Sequence, residues 1–408
     1  MKNSAINKLG SHLLRSEIPF TKPFIAGNEA KYVAQVIASG SIGSDGRFTR
    51  SCAQFLKNRF GIHEVFMTPS CTAALEMAAM LLDLKHGDEV LMPSFTFTST
   101  ANAVVLRGAK PVFVDIRPDT LNLDEHLVEN SITSRTRAIF AVHYAGVGCE
   151  MERLMAIAAK HNLLVVEDAA QAVNGYYRGR ALGSIGHLGA YSFHSTKDYT
   201  CGEGGALCVN SPELAAQAEI IRDKGTNRSK FFRGEVDKYS WVDAGSSYVP
   251  GEIACAFLLA QLEMMDAIKA RRAQLAEHYR VLLSPLEQMR LLSLPQAPAE
   301  CDASHHMYYV LLPDQETRDR LIVHLRDRRI RALFHYVPLH CSPMGARLGY
   351  REGAFPRTEQ LSGRLLRLPF YPDLSAEEQQ RVVRGIESFF RVVRTRKVFT
   401  GSPLVESA

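Results

Sequence analysis

Two short blocks of this 408-residue chain carry side chains that could share one piece of chemistry. In the first, Val165-Val166-Glu167-Asp168, an apolar run ends on a carboxylate. Sheets flanked by helices bind ligands at the C-terminal edge of their strands, which is where such a carboxylate would stand. In the second, Lys197 lies between a short run at 191–193 and the turn Gly202-Glu203-Gly204-Gly205, where backbone can approach a ligand closely. An isolated aspartate at such a place ordinarily caps a turn, and an isolated lysine is ordinarily solvated. Together they can do more. A lysine partly desolvated near other cations loses proton affinity, and its neutral amine can then form an imine. A carboxylate facing a pyridine nitrogen keeps that ring protonated as an electron sink. The pair is what pyridoxal phosphate (PLP) chemistry requires.

Two further blocks lie upstream. Pro69-Ser70-Cys71-Thr72-Ala73-Ala74-Leu75 reads as a strand-to-helix junction, where free amides and hydroxyls make a phosphate site or a plain helix cap. Pro93-Ser94-Phe95-Thr96-Phe97-Thr98-Ser99-Thr100 follows the next strand and offers Phe97 as a ring to stack on a planar cofactor. The order of the four blocks distinguishes them from a chance collection of caps and core residues.

Elements must position these residues. Apolar runs at 65–68, 89–92, 111–114, 138–142, 163–166 and 206–209 read as strands, with helices at 72–84, 99–106 and 151–161 between them. Continuous Val/Leu/Ile runs alternating with helices predict an α/β fold with a parallel sheet covered on both faces. Ser211-Pro212 reads as a helix start, with serine as its cap. The polar, aromatic and basic stretch 227–248 is too long for a casual connection and reads as a functional loop. A helical pattern runs from Pro250 to about residue 282, bridging to a small α+β region with strands at 308–312 and 330–335 and helices at 318–328 and 375–392. The domains expected are an extension at 1–17, a large domain at 18–250, a linking helix at 251–282, a small domain at 283–395 and a tail at 396–408.

Composition narrows the function classes. Hydrophobic residues make up 46% and charged residues 22%, the balance of a globular protein. A net charge of +5 is too mild to argue for nucleic acid, and Arg391, Arg394, Arg396 and Lys397 read as a solvated helix end. No apolar run has the length of a membrane span, and the N-terminus lacks the apolar core of a secretory signal. The eight cysteines show no CxxC spacing, so reduced thiols in a cytoplasmic enzyme are expected.

With these blocks the sequence resembles the DegT/DnrJ/EryC1/StrS sugar aminotransferases over roughly residues 18–390. Gly87-Asp88-Glu89-Val90, the Gly202–Gly205 turn, His335-Tyr336-Val337-Pro338-Leu339-His340 and Arg364-Leu365-Leu366-Arg367-Leu368-Pro369 add to the likeness. The resemblance implies a PLP-dependent fold of the aspartate aminotransferase type (fold type I). Its large domain would hold a mostly parallel seven-stranded sheet, beside a small α+β C-terminal domain. It implies a homodimer with active sites at the subunit interface. Lys197 would hold PLP and Asp168 would pair with its ring nitrogen. Gln171, one helical turn beyond Asp168, would lie near the phenolic oxygen, and Phe97 would stack on the ring. Thr72, the Ala73 amide and Ser192 would hold the phosphate.

Many relatives carry Gly-x-Asn-x-Arg in a loop reaching the partner's site; here the stretch is Gly245-Ser246-Ser247-Tyr248-Val249. Ser247 stands in place of the asparagine and can still donate, whereas Val249 cannot replace the arginine. The stretches TPSCTAALEMAA (68–79), TSTANA (98–103), HYAGV (143–147), EIIRDKGTNRS (219–229) and FFRGEVDKYSW (231–241) look most like the branch that aminates dTDP-4-keto-6-deoxyglucose with L-glutamate. Arg228, Lys230, Arg233 and Lys238, acting across the dimer, are candidates for the nucleotide diphosphate, and His335 is a further substrate-binding candidate. Three rival readings stand beside this one. Dehydrating relatives carry histidine at the Lys197 position. Enzymes of UDP-4-keto-arabinose share a similar block around the lysine. A PLP-fold regulator without turnover would keep the fold without needing the catalytic residues.

Overall fold

The computed structural model describes residues 16–400, with side chains through Val392. Most of the expected 1–17 extension, and the tail beyond Thr400, lie outside the described residues. Two helices come first, α1 (Glu29–Ser39) and α2 (Arg47–Phe60). The alternation then begins with β1 (Glu64–Thr68), α3 (Cys71–Leu81), β2 (Glu89–Pro93), α4 (Thr98–Val105) and β3 (Lys110–Val114). It continues through β4 (Thr136–Val142), α5 (Met151–His161), β5 (Leu164–Asp168), β6 (Leu188–Ser192) and β7 (Gly205–Val209).

These strands form one seven-stranded sheet in the order β1-β7-β6-β5-β4-β2-β3. β7 runs antiparallel to both its neighbours, and the other pairings are parallel. The sheet is covered on both faces, as the unbroken apolar runs require. Val65, Met67, Leu91, Ile139, Ala141 and Val165 enter the core that α1, α2 and α5 cover. Their alternates Val90, Met92, Ala138, Phe140 and Val166 enter the core beneath α3 and α4.

Beyond β7 come α6 (Ala215–Arg222), the short α7 (Arg228–Phe232), α8 (Glu252–Glu263) and α9 (Met265–Gln288). Next are β8 (Tyr309–Leu311), α10 (Gln315–Arg326), α11 (Pro356–Arg364), β9 (Leu365–Arg367) and α12 (Ala376–Thr400). A separate core gathers Ile18, Leu275, Tyr279, Leu321, Ile386 and Phe390, among others, around the β8–β9 pair. A fourth cluster, with Phe95, Tyr144, Tyr309 and Leu365, joins the strand edge of the sheet to this region.

Several expectations are corrected. The helical pattern from Pro250 is two helices, because Met264 leaves helical geometry (φ −101°, ψ 12°). Residues 330–335 are not a strand. They make only isolated bridges, Ile18 with Ile330 and Leu333 with Arg367, before Tyr336 takes a positive φ of 40° and turns the chain toward the sheet edge. Ser211 makes no side-chain cap; Pro212 opens a single 3-10 turn before α6. α1 and α2 have no counterpart among the expected elements. They pack on α8, where the buried Glu252 accepts hydrogen bonds from the Phe48 and Thr49 amides (2.8 and 2.9 Å) and so caps α2 from a distant helix.

Candidate active site

β5 is buried along most of its length and ends on Asp168, which is 5% exposed. Thr100 in the first turn of α4 donates to Asp168 Oδ2 (2.7 Å), and the Ala170 amide donates to Oδ1 (3.2 Å). The preceding Glu167 points to the opposite face. It accepts from the amides of Gly183, Ile185 and Gly186 and contacts His143 Nε2 at 2.8 Å. Because the Cys149 amide donates to His143 Nδ1, Nε2 must be the nitrogen that donates to Glu167. One strand end thus splits its two carboxylates, Glu167 to the fold and Asp168 to the edge.

β6 and β7 pair as far as Ser192 and Gly205, and the chain between them closes into a loop. The Phe193 amide bonds to Gly204 O and the Ser195 amide to Gly202 O, both at 2.8 Å. Lys197 lies at the turn of this loop, held by its own amide on His194 O (2.8 Å). Burial lowers its proton affinity and the Arg367 cation lowers it further; Cys71, Asp168 and Asp198 act in the opposite sense. These groups therefore lie within electrostatic reach of the amine. The neighbouring Asp198 is locked between His306 Nδ1 and Arg272 Nη2, each at 3.0 Å. Burial raises the proton affinity of Asp198, but the Arg272 cation and the hydrogen bond from His306 outweigh it and leave its pKa lowered. The loop that carries the amine is thereby tied to α9 and to the segment before β8.

Phe97 occupies the N-cap position of α4 and is 56% exposed, large for a ring beside a buried sheet edge. Tyr336 lies 6.2 Å from it, centroid to centroid. Gln171 is fixed at both ends, its Oε1 accepting from the Ala145 amide (2.8 Å) and its Nε2 donating to Tyr336 OH (3.0 Å). It stands in a turn after β5 rather than one helical turn along, which corrects the expectation. His335 is buried, with Nδ1 2.8 Å from Tyr144 OH and its ring stacked on Tyr336 at 3.6 Å. Burial, helped by Arg367, His306 and Lys197, pushes its pKa well down. The geometry makes it a buried wall residue beside Tyr144 and Tyr336.

The other end of the site is the start of α3. Ser70 Oγ accepts from the Ala73 amide (3.1 Å), so that amide, expected to hold phosphate, is already taken by the cap. The Cys71 and Thr72 amides remain as first-turn donors without intrahelical acceptors. Thr72 Oγ1 lies 2.7 Å from Ser99 Oγ, joining the first turns of α3 and α4. Ser192 ends β6, and its Oγ receives only a long bond from the His194 amide (3.5 Å). Gly205 faces Ser70 and Cys71 so closely that a Cβ would lie 2.4 Å from Cys71 N.

The 227–248 segment is not part of this cluster. No hydrogen bond, ion pair or ring contact joins Arg228, Arg233, Lys238 or Ser247 to Lys197 or Asp168 among the described residues. Arg233 is held by Glu219 (2.6 and 3.0 Å) and Glu235 (2.6 Å) of its own chain. Arg228 lies 3.8 Å from Asp223 and 5.1 Å from the Phe232 ring centroid. Ser247 bridges Asp223, and both it and Lys238 are exposed.

Thr100, Tyr144, Asp198, Arg272, His306, Tyr336 and Arg367 do not stand out as site residues in the sequence. Only the 98–103 and 143–147 stretches and the two C-terminal motifs hint at some of them.

The set fits PLP. It offers an amine of lowered proton affinity, a buried carboxylate fixed by a hydroxyl, an exposed ring, and a helix terminus with free amides at one strand edge. No helix among the described residues is long and apolar enough to cross a membrane.

Comparisons with known proteins agree. The spore coat polysaccharide biosynthesis protein SpsC of Bacillus subtilis is 32% identical over 388 residues, covering 92% of this chain and 97% of SpsC. S. venezuelae DesV superposes with a TM-score of 0.84 at 32% identity, covering 92% of this chain and 99% of DesV. The PLP form of the sugar aminotransferase Spr1654 from Streptococcus pneumoniae gives 0.85 at 25% identity, covering 92% and 99%. Residues 23–387 match the DegT/DnrJ/EryC1/StrS aminotransferase family. The chain belongs to that family and is a PLP-dependent sugar aminotransferase.

Proposed function

We propose that this enzyme moves the amino group of L-glutamate to carbon 4 of dTDP-4-keto-6-deoxy-D-glucose, giving dTDP-4-amino-4,6-dideoxy-D-galactose and 2-oxoglutarate. The observation that carries the transamination reading is Lys197, an amine of lowered proton affinity within electrostatic reach of Asp168. The substrate rests on the 68–79, 98–103, 143–147, 219–229 and 231–241 stretches and on the Gly245-Ser246-Ser247 variant of the loop. SpsC, named for polysaccharide biosynthesis, is a relative consistent with a sugar destined for a surface polymer.

PLP bound at this edge supplies an electron sink for charge developing on the substrate carbon. Lys197 would anchor the cofactor, and its amine, once freed, would hold and move the proton at the donor α-carbon and, in the other direction, at carbon 4 of the sugar. Asp168, oriented by Thr100 and the Ala170 amide, would face the ring nitrogen. Phe97 would cover one ring face, and Thr72, Ser192 and the first amides of α3 would receive the phosphate, with Ser247 reaching it from a second copy.

A homodimer is part of this reading. Trp241 (80% exposed), Phe232 (69%) and Tyr239 (54%) leave the 227–248 segment with an aromatic surface that the described residues do not cover. A second copy seated there would bring Arg228, Arg233 and Lys238 toward the nucleotide of the neighbouring site. The eight free cysteines suit a reducing compartment, and the cytoplasm is the location proposed. A division into a large domain (18–250), a linking helix (251–282) and a small domain (283–395) is supported by the separate core built largely from residues 275–390.

The test is product analysis by mass and NMR after incubating the holoenzyme with glutamate and either dTDP-4-keto-6-deoxyglucose or UDP-4-keto-arabinose. Faster turnover of the UDP sugar would overturn the substrate. Undiminished turnover by Lys197→Ala would overturn the mechanism.

A further inference from the structure

His340 closes the 335–340 motif, and its side chain makes no contact with Lys197 or Asp168 among the described residues. The ring is fully enclosed, in a 3-10 turn (Leu339–Cys341) whose Leu339 amide donates to Ser94 O at 2.9 Å. Three donor atoms of different kinds meet there. Glu359 Oε1, in the first turn of α11, lies 2.9 Å from His340 Nε2, and Cys341 Sγ lies 3.2 Å from the same nitrogen. All three ligand atoms fall within 4.8 Å of one another. The carboxylate is itself oriented, accepting from the Gly353 amide (2.8 and 3.0 Å) and the Phe355 amide (3.3 Å).

The other side of the ring bears on which nitrogen carries the proton. Ser94 Oγ accepts from the His340 amide (3.1 Å) and lies 2.6 Å from Nδ1. A hydroxyl oxygen has two lone pairs, so Ser94 can accept from both nitrogens and keep the ring proton on Nδ1. The Nε2 lone pair then faces a carboxylate and a sulfur, an electron-rich trio that a cation would hold together. The opposite tautomer makes an ordinary bond from Nε2 to Glu359, leaves the thiol idle and predicts no ion. A second group of ligating side chains, Asp124, Glu125 and His126, differs in charge. Arg357 (2.8 Å) and Arg117 (2.9 Å) already neutralise its carboxylates, whereas no lysine or arginine among the described residues pairs with Glu359.

We propose that His340 Nε2, Cys341 Sγ and the Glu359 carboxylate form a site for a divalent cation of the zinc class. Thiolate, imidazole and carboxylate are all zinc ligands, and sulfur with nitrogen selects against magnesium and calcium. Tetrahedral zinc sets N and S ligands about 3.6 Å apart and N and O ligands about 3.3 Å apart, so Cys341 and Glu359 would each withdraw by about 0.4 Å. The Glu359 side chain is 21% exposed and Cys341 is half-buried, which gives an ion a way in and leaves the fourth position to water. Burial, with Glu359 and Glu352 nearby, pushes the Cys341 thiol up to about 11. Binding therefore releases the thiol proton to solvent, and the ion offsets the charge left on sulfur. Bound there, the ion would brace the segment carrying His335 and Tyr336 against α11, apart from the reacting atoms.

The experiment uses PLP-loaded enzyme, treated with a chelator and freed of unbound cofactor, titrated with Zn²⁺ by calorimetry. Wild type should bind one zinc per chain. Cys341→Ser should weaken that binding at least about tenfold, and Ser94→Ala, which removes the Nδ1 partner, by about tenfold. Zinc should also protect Cys341 from iodoacetamide, mapped by peptide mass, while Cys201 and Cys301, the other partly exposed thiols, react at the same rate. Unchanged circular dichroism and PLP absorbance check that the variants fold. Absence of saturable zinc binding, or equal affinity in wild type and Cys341→Ser, would overturn the proposal. So would unchanged alkylation of Cys341 at saturating zinc, which would place the ion at another thiol. None of these outcomes depends on which sugar the enzyme aminates.

Discussion

His306→Asn tests whether the locked Asp198 network governs acid stability. His306 is enclosed and donates from Nδ1 to Asp198, and asparagine can place an amide nitrogen close to that position without titrating. Burial of the imidazole, opposed by Asp198, lowers the His306 pKa from 6.5 to about 4. The sign follows from which state binds the proton. Between pH 6.5 and 4 the unfolded chain protonates this histidine and the folded chain does not, so stability falls as pH falls through that window. From pH 7.5 to 5.0 the two values give a loss of about 2 kcal/mol. With the entropy change expected for a chain this size, that is about 2–3 °C in Tm. The assay is thermal unfolding of the holoenzyme at a fixed scan rate, at several pH values across this interval. His306→Asn is expected to lose that much less stability between pH 7.5 and 5.0 than the wild type. Asp198, whose own pKa is lowered, contributes stability lost at still lower pH, so both proteins should converge in slope below the window. Parallel wild-type and variant curves from pH 7.5 to 5.0 would refute the reasoning.

Thr100→Val keeps the shape of the side chain but removes the hydroxyl that donates to Asp168 and lies 2.8 Å from Thr96 Oγ1. A hydrogen bond to a charged group contributes about 1.5–3 kcal/mol, so kcat should fall at least about tenfold with little change in the glutamate KM. Full activity would show that Asp168 does not depend on this bond. Gly205→Ala would place a methyl group 2.4 Å from Cys71 N and 2.4 Å from the Ser70 carbonyl carbon, both backbone atoms. Relieving that overlap should cost about 1–3 kcal/mol and displace the first turn of α3, lowering PLP affinity as read by dialysis and absorbance. Retention of PLP equal to wild type would place the phosphate elsewhere.

The parts of the fold legible in sequence are those whose burial is symmetric. β4 and β5 lie under helices on both faces, so their apolar runs are uninterrupted and their ends stand out. The 330–335 segment misleads for the complementary reason. Its residues are mostly apolar, as in a strand, but its partners are single bridges to Ile18 and Arg367, and no ladder forms. α1 and α2 are silent because the acid that caps α2 is Glu252, 204 residues away from Phe48.

The same division runs through the site. Lys197 and Asp168 are identified by their own surroundings in the chain, a glycine turn and an apolar strand, so the chemistry is legible in the order of residues alone. What the tertiary structure decided is how that chemistry is held. Thr100 reaches Asp168 across 68 residues, Gln171 reaches Tyr336 across 165, and His306 reaches Asp198 across 108. Side chains of such common types carry no local signature, because their roles exist only where separate elements meet.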